Sequence, residues 1–256
     1  MEPLREFDGQ LALVTGAAGA GIGQAIARRL VAGGADVIVS DIHEARTEKV
    51  TEAITADFPD ATVHGRVLDV GDRDAIDATV AAITAELGPV TILVNNAAVN
   101  VMRPIYEFDP DDWDWVLRVN LTGPWQLCRR IMPIMRDAGG GAIVNISTAA
   151  PDEGGFGLEA PYAVSKGGLN VLTRSCAHEG APHGIRSNAV SMGLVRGTRF
   201  LEQHPETLDL PGALPPGGEL PTADDIAEAV AFLASERARS VTGEILHVSA
   251  GTYMRP

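Results

Sequence analysis

Cysteine is nearly missing from this chain: 256 residues hold two, Cys128 and Cys176, each in an apolar stretch that reads as helix. A disulfide scaffold needs a far richer supply, so a reducing cytoplasm is the expected setting. Basic residues are scarce as well. Twenty Lys and Arg stand against 34 Asp and Glu, leaving a formal charge of -14 and a pI near 4.8. That balance repels phosphate backbones and anionic headgroups, and neither nucleic acid nor a membrane surface is expected as a partner. Long apolar runs are also wanting. The uncharged stretch from Gly9 to Ala27 spans nineteen residues but contains five glycines and follows the net acidic Glu2, Arg5, Glu6 and Asp8. It suits neither a spanning helix nor a secretory leader. The histidines, His43, His64, His178, His183, His204 and His247, show no ligand spacing, so no metal site is expected.

What is present is material for a globular domain, 45% hydrophobic and 21% charged in 26.9 kDa, enough for a sizeable core. Short aliphatic runs recur at Leu11 to Thr15, Val37 to Asp41, Val63 to Asp69, Ile92 to Asn95, Ile143 to Ser147, Ile185 to Val190 and Ile245 to Val248, with helix-like segments between them. Continuous apolar strands alternating with helices predict an α/β fold: a doubly wound (Rossmann) open parallel sheet of seven strands with helices on both faces, in a single domain over 1–256. Helix ends are legible too. Asp109 with Pro110, Asp111 and Asp112 starts one helix, Thr222 with Asp225 forms a capping box for another, and Gly33 and Gly34 close the first. The segment 197–220, with four prolines and four glycines, breaks the rhythm and is expected to be a substrate-side loop or lid.

The first strand runs into Gly16, Gly19, Gly21, Ile22 and Gly23 and then a helical run. A strand, a glycine turn and a helix N-terminus bring bare backbone N–H groups and a positive dipole end close to a pyrophosphate. Asp41 ends the second strand twenty residues after Gly21, where an acid accepts hydrogen bonds from ribose hydroxyls and repels a 2′-phosphate. NAD is therefore expected over NADP. Tyr162 and Lys166 stand four apart and share a helix face. An ammonium about 4 Å from a phenol at an effective dielectric of about 20 contributes on the order of 4 kcal/mol, an upper limit of roughly 3 pKa units against the upward push of burial.

These residues resemble the short-chain dehydrogenases/reductases nearly end to end. The resemblance includes Asn95, Asn96 and Ala97 after the fourth strand, Asn120 in a long helix, Ser147 and Thr148 ending the fifth strand, Tyr162 with Lys166, and Pro221 to Gly251 as a closing helix and strand. It implies hydride transfer between NAD(H) and a ketone or secondary alcohol, with Tyr162 as general acid or base. It further implies that Lys166 lowers the tyrosine pKa and binds the nicotinamide ribose, that Thr148 polarises the substrate oxygen, and that Asn120 holds a water of a proton relay. Asp69 and Val70 would border the adenine, Asn95 and Ala97 the same cleft, Ile22 the pyrophosphate, and Gly193 and Val195 the carboxamide. A small carbonyl or alcohol substrate and a homotetramer follow from the same resemblance. The chain departs from the family in having four residues between Gly16 and Gly21 rather than three, a bulge expected near Gly19. Thr148 stands where a serine is usual, with Ser147 as the other candidate. These departures keep a second reading open, a catalytically silent NAD-binding protein of the same fold.

Overall fold

A computed structural model describes residues 5–209 and 213–254. Its strands are β1 (Leu11–Thr15), β2 (Asp36–Asp41), β3 (Val63–Val67), β4 (Ile92–Asn95), β5 (Gly141–Thr148), β6 (Ile185–Met192) and β7 (Ile245–Val248). They form one sheet in the order β3-β2-β1-β4-β5-β6-β7, with every neighbouring pair parallel. The expected seven-stranded, doubly wound sheet is thus observed. Strand ends differ from expectation where pairing decides them: β5 and β6 extend together through Thr148 and Met192, whereas β3 stops at Val67, beyond which only Leu68 N–H still bonds to Asp41.

Helices α1 (Ile22–Ala32), α2 (Glu44–Asp57), α3 (Arg73–Leu87) and α4 (Pro110–Leu117) follow the first four strands. A π-helical stretch, Arg118–Thr122, joins α4 to α5 (Gly123–Asp137). Then come α6 (Ala150–Glu153), α7 (Ala160–Gly180), α8 (Arg199–Gln203) and α9 (Ala223–Ala234). Alternation along each strand builds two cores. Ala12 and Val14 of β1 pack with Ile26 and Leu30 of α1, Ile54 of α2 and Ile226 of α9, while Leu11 and Leu13 pack with Ile76 and Ile83 of α3, Leu127 of α5 and Cys176 of α7. Because one sheet supplies both cores, the described chain is a single domain. Truncating Leu13, fully buried, to Ala removes about 2–5 kcal/mol by cavity formation.

The expected caps form: Asp109 accepts from Asp111 N–H, Thr222 and Asp225 make the reciprocal box, and α1 ends at Gly33, with Gly34 at φ +93°. The proline-rich segment is less irregular than expected. It contains α8 and a 3-10 turn, Pro205–Asp209, started by a proline whose missing N–H is not needed there; residues 210–212 of that expected loop lie outside the described residues. No described helix is long and apolar enough to cross a membrane. The strand order reverses between β1 and β4, so the loops leaving their carboxyl ends part and leave a crevice, the usual ligand position in such sheets.

Candidate active site and cofactor cleft

The glycine turn occupies that crevice. Gly16 has φ +63°, and a Cβ there would sit 2.7 Å from Ala97 Cα; a Cβ on Gly23 would lie 2.5 Å from both Gly16 O and Asn96 Nδ2. Both positions therefore require glycine. Gly21, at φ +152°, caps α1 with no side-chain bond to the first-turn N–H groups, and Ile22 begins the helix half-buried. The additional residue is absorbed at the rim, where Gly19 is not strained, a Cβ on it would meet nothing, and Ala20 is exposed. This is a cradle that side chains would fill, at a helix N-terminus whose first-turn N–H groups no side chain caps, which fits a pyrophosphate.

Asp41 is nearly buried at the end of β2, and one carboxylate oxygen accepts from His43 N–H at 3.1 Å and from Arg46 at 3.2 Å. Burial holds its carboxyl above the usual range, against the pull of Arg46 and the Ala18 N–H. Asp69 turns inward to accept Gly71 N–H at 2.8 Å, and Val70 presses on the start of α5, where a Cβ on Gly123 would fall 2.3 Å from Val70 O. Ala97 N–H donates to Thr15 Oγ1. Gly193 lies against Thr252, and Val195 is buried with its carbonyl accepting Thr198 Oγ1.

The Asn95 side chain donates to Asn145 Oδ1 at 2.8 Å, and Asn145 donates in turn to Thr173 of α7. The Asn120 amide oxygen accepts Val99 N–H, and its amide nitrogen donates to Val99 O and Ser165 Oγ. The stretch around Asn120 is π-helical, and an i→i+5 ring leaves a carbonyl without its ordinary i+4 partner.

Tyr162 and Lys166 share one face of α7, with the Lys166 amine 5.6 Å from the centre of the tyrosine ring. Lys166 is 2% exposed, its Nζ donates to Ile146 O at 2.7 Å, and burial lowers its pKa to about 8. Burial, followed by the Glu159 carboxylate, pushes the Tyr162 phenol well above its ordinary value. Both influences act upward, so Tyr162 is a protonated acid at neutral pH. Of the two hydroxyls ending β5, Ser147 is fully buried with no hydrogen-bond partner among the described residues, whereas Thr148 is partly exposed and its Oγ1 accepts Ala150 N–H.

Two residues here carry no individual role in the sequence reading. Asn96 pins the glycine turn, donating through Nδ2 to Thr15 O and Gly16 O. Glu159, 7% exposed, accepts from Asn100 Nδ2 at 2.5 Å, one helical turn before Tyr162. An acid three residues ahead of a helical tyrosine was the available signal for Glu159; the bonds of Asn96 join segments 80 residues apart and leave no local trace.

Backbone donors at the switch point, an acid closing the next strand and a half-buried phenol beside a buried amine at the same sheet edge place the chain among nicotinamide-dependent oxidoreductases. Residues 16–253 match a family model described as enoyl-(acyl carrier protein) reductase. The chain is 38% identical over 246 residues to the (5R,7aS)-5-hydroxy-7a-methyl-1-oxo-2,3,5,6,7,7a-hexahydro-1H-indene-carboxyl-CoA reductase of Mycobacterium tuberculosis, covering 95% of this chain and 93% of that one. It is 38% identical over 250 residues to the 3-oxoacyl-(acyl-carrier-protein) reductase FabG of Escherichia coli, covering 97% and 99%. Among solved structures, the L-sorbose reductase of Gluconobacter frateurii, complexed with NADPH and L-sorbose, matches with a TM-score of 0.91 at 25% identity over all of both chains. This chain belongs to the short-chain dehydrogenase/reductase family, whose members here are oxidoreductases acting on carbonyl and alcohol substrates.

Proposed function

We propose that this chain transfers a hydride between NAD(H) and a small ketone or secondary alcohol, with Tyr162 moving the proton at the substrate oxygen. The observation that carries this reading is the Tyr162–Lys166 pair on one face of α7, its amine sealed from water and held by Ile146 O. Gly16, Gly21, Ile22 and Gly23 would hold the pyrophosphate, Asp41 the adenosine ribose, Asp69 and Val70 the adenine edge, and the backbones of Asn95, Ala97, Gly193 and Val195 the remainder. When bound, the nicotinamide supplies or accepts the hydride at C4.

Tyr162, protonated at neutral pH, is suited to hand its proton to a carbonyl oxygen, which favours reduction. Lys166, mostly charged at pH 7, would orient the ribose and stabilise the phenolate left behind. Thr148, partly exposed where Ser147 is buried, would polarise the substrate oxygen, and Asn120 would hold the water that connects Lys166 to solvent. If Tyr162→Phe keeps full turnover on a verified substrate, the assignment fails; a loss of at least a hundredfold with nucleotide binding intact supports it.

The choice of NAD rests on Asp41, whose carboxylate would face a 2′-phosphate across a ribose. Arg46 beside it offsets part of that repulsion, and the L-sorbose reductase is complexed with NADPH. A thermal-shift comparison decides: NAD raises Tm more than NADP, and a shift with NADP alone refutes the role of Asp41. The segment 197–220 would flank the substrate. Trp115 on α4 and Val164 and Val171 on α7 are exposed apolar side chains, in keeping with a homotetramer built on these helices; a solution mass of one chain by light scattering removes that reading. Both cysteines are free, as a cytoplasmic setting asks.

A further inference from the structure

Beside the phenol the wall of the site carries polar groups that the proton-transfer scheme leaves unused. Val99 is clamped at both N–H and C=O by the Asn120 amide, which fixes where the next residue, Asn100, projects. Asn100 Nδ2 is committed to Glu159 Oε2, and Arg103 N–H bonds to Leu158 O, so the loop after β4 and the segment before α7 are laced together at two points. Asn100 Oδ1 is buried and has no hydrogen-bond partner among the described residues.

The backbone holds Glu159 there against its own preferences. Gly154, Gly155, Phe156 and Gly157 all have positive φ, at 66°, 63°, 50° and 75°, which is one left-handed turn. Phe156 adopts it without a glycine's freedom, a strain that is retained where surrounding structure over-determines it. The turn brings Gly155 O to the N–H groups of Leu158 and Glu159, and a Cβ on Gly155 would lie 2.9 Å from Glu159 Cγ. The buried Glu159 carboxyl, one helical turn from the phenol, and the orphan acceptor of the Asn100 side chain bonded to it form an acceptor-rich subsite. Burial keeps the Glu159 carboxyl above its usual range in spite of the Asn100 donor, as a water-poor setting requires.

We infer that Asn100 and Glu159 select a substrate bearing a hydroxyl on a carbon next to the reacting one, an α-hydroxy ketone or vicinal diol, whose O–H donates to Asn100 Oδ1. An acceptor of this kind is left unpaired by an aliphatic ketone, and a site built to bond a substrate hydroxyl discriminates against the analogue without it. The inference deepens the hydride-transfer reading and rests on it.

Matched pairs test it: acetoin against 2-butanone, 2,3-butanediol against 2-butanol, and 1,2-cyclohexanediol against cyclohexanol, each with the better nucleotide. The wild-type chain should favour the hydroxylated member by roughly ten- to a hundredfold in kcat/KM. In Asn100→Leu, close to isosteric, that ratio should fall to within about threefold through a loss on the hydroxylated member. Glu159→Gln, whose amide can turn to satisfy Asn100 Oδ1, should compress the ratio as well and serves where Asn100→Leu does not fold, as judged by its nucleotide-induced thermal shift. Equal or better turnover of the deoxy members by the wild type, or ratios unmoved in both variants, overturns the inference and leaves hydride transfer standing. Failure of a nucleotide-binding wild type to turn over any pair overturns both.

Discussion

Replacing Lys166 by Met in the cofactor-free protein should flatten the dependence of stability on alkaline pH. In the unfolded chain the amine titrates near 10.5, and in the folded chain burial lowers it to about 8. Between those values the unfolded state binds more protons, so stability rises with pH; below about 8 the full cost of burying the ammonium is carried, and above 10.5 both states are neutral. The whole span is worth roughly 3 kcal/mol, of which about 2 kcal/mol falls between pH 7 and pH 9.5. The window is unusually clean because the chain has just one other lysine, Lys49, which is exposed. Cys128, held above its ordinary range by hydrogen bonding with Cys176 and by burial, opposes the trend but does so in both proteins and cancels on subtraction. At pH 7 the variant sheds the ammonium's burial cost yet strands Ile146 O, a loss of about 1–3 kcal/mol, so its net stability there should change little. The diagnostic is the slope. Urea unfolding at pH 7 and 9.5 at one ionic strength measures it, and parallel profiles for wild type and variant would show that Lys166 does not titrate as a buried amine.

The cradle and the hydroxyl can be tested as directly. Gly23→Ala puts a Cβ 2.5 Å from Gly16 O and Asn96 Nδ2, and should lower stability by about 1–3 kcal/mol and weaken nucleotide binding at least tenfold in a fluorescence titration; unchanged affinity would mean the turn does not hold the pyrophosphate. Thr148→Ala should cut kcat by about a hundredfold while Ser147→Ala stays active, the order reversing if the buried serine is the working hydroxyl.

Local chemistry made the fold legible. Each strand of a parallel sheet buries both faces and so reads as an unbroken aliphatic run; β3, with His64, Gly65 and Arg66 at the sheet edge, is the poorest of them and stops two residues short of the expected Asp69. Caps such as Asp109 and Thr222 were legible because donor and acceptor lie within three residues. The site was legible where glycine geometry or helical spacing governs it, at Gly16, Gly23, Tyr162 and Lys166. It was opaque where two distant segments meet: the side chain of Asn95 answers to Asn145, that of Asn120 to Val99, and Asn100 to Glu159. How strongly burial acts on the Tyr162 phenol was opaque for a related reason, because spacing reveals a neighbour's charge but not how much water the fold removes.

The short stretch after β4 is fastened at both ends. Asn96 ties it back to the nucleotide turn, and four residues later Asn100 ties it forward to the segment that introduces α7. Such a strut cannot shift at one end without dragging the other. Occupancy of the nucleotide turn should therefore stiffen the far wall before any second molecule arrives, giving this chain a mechanical reason to bind its nucleotide first.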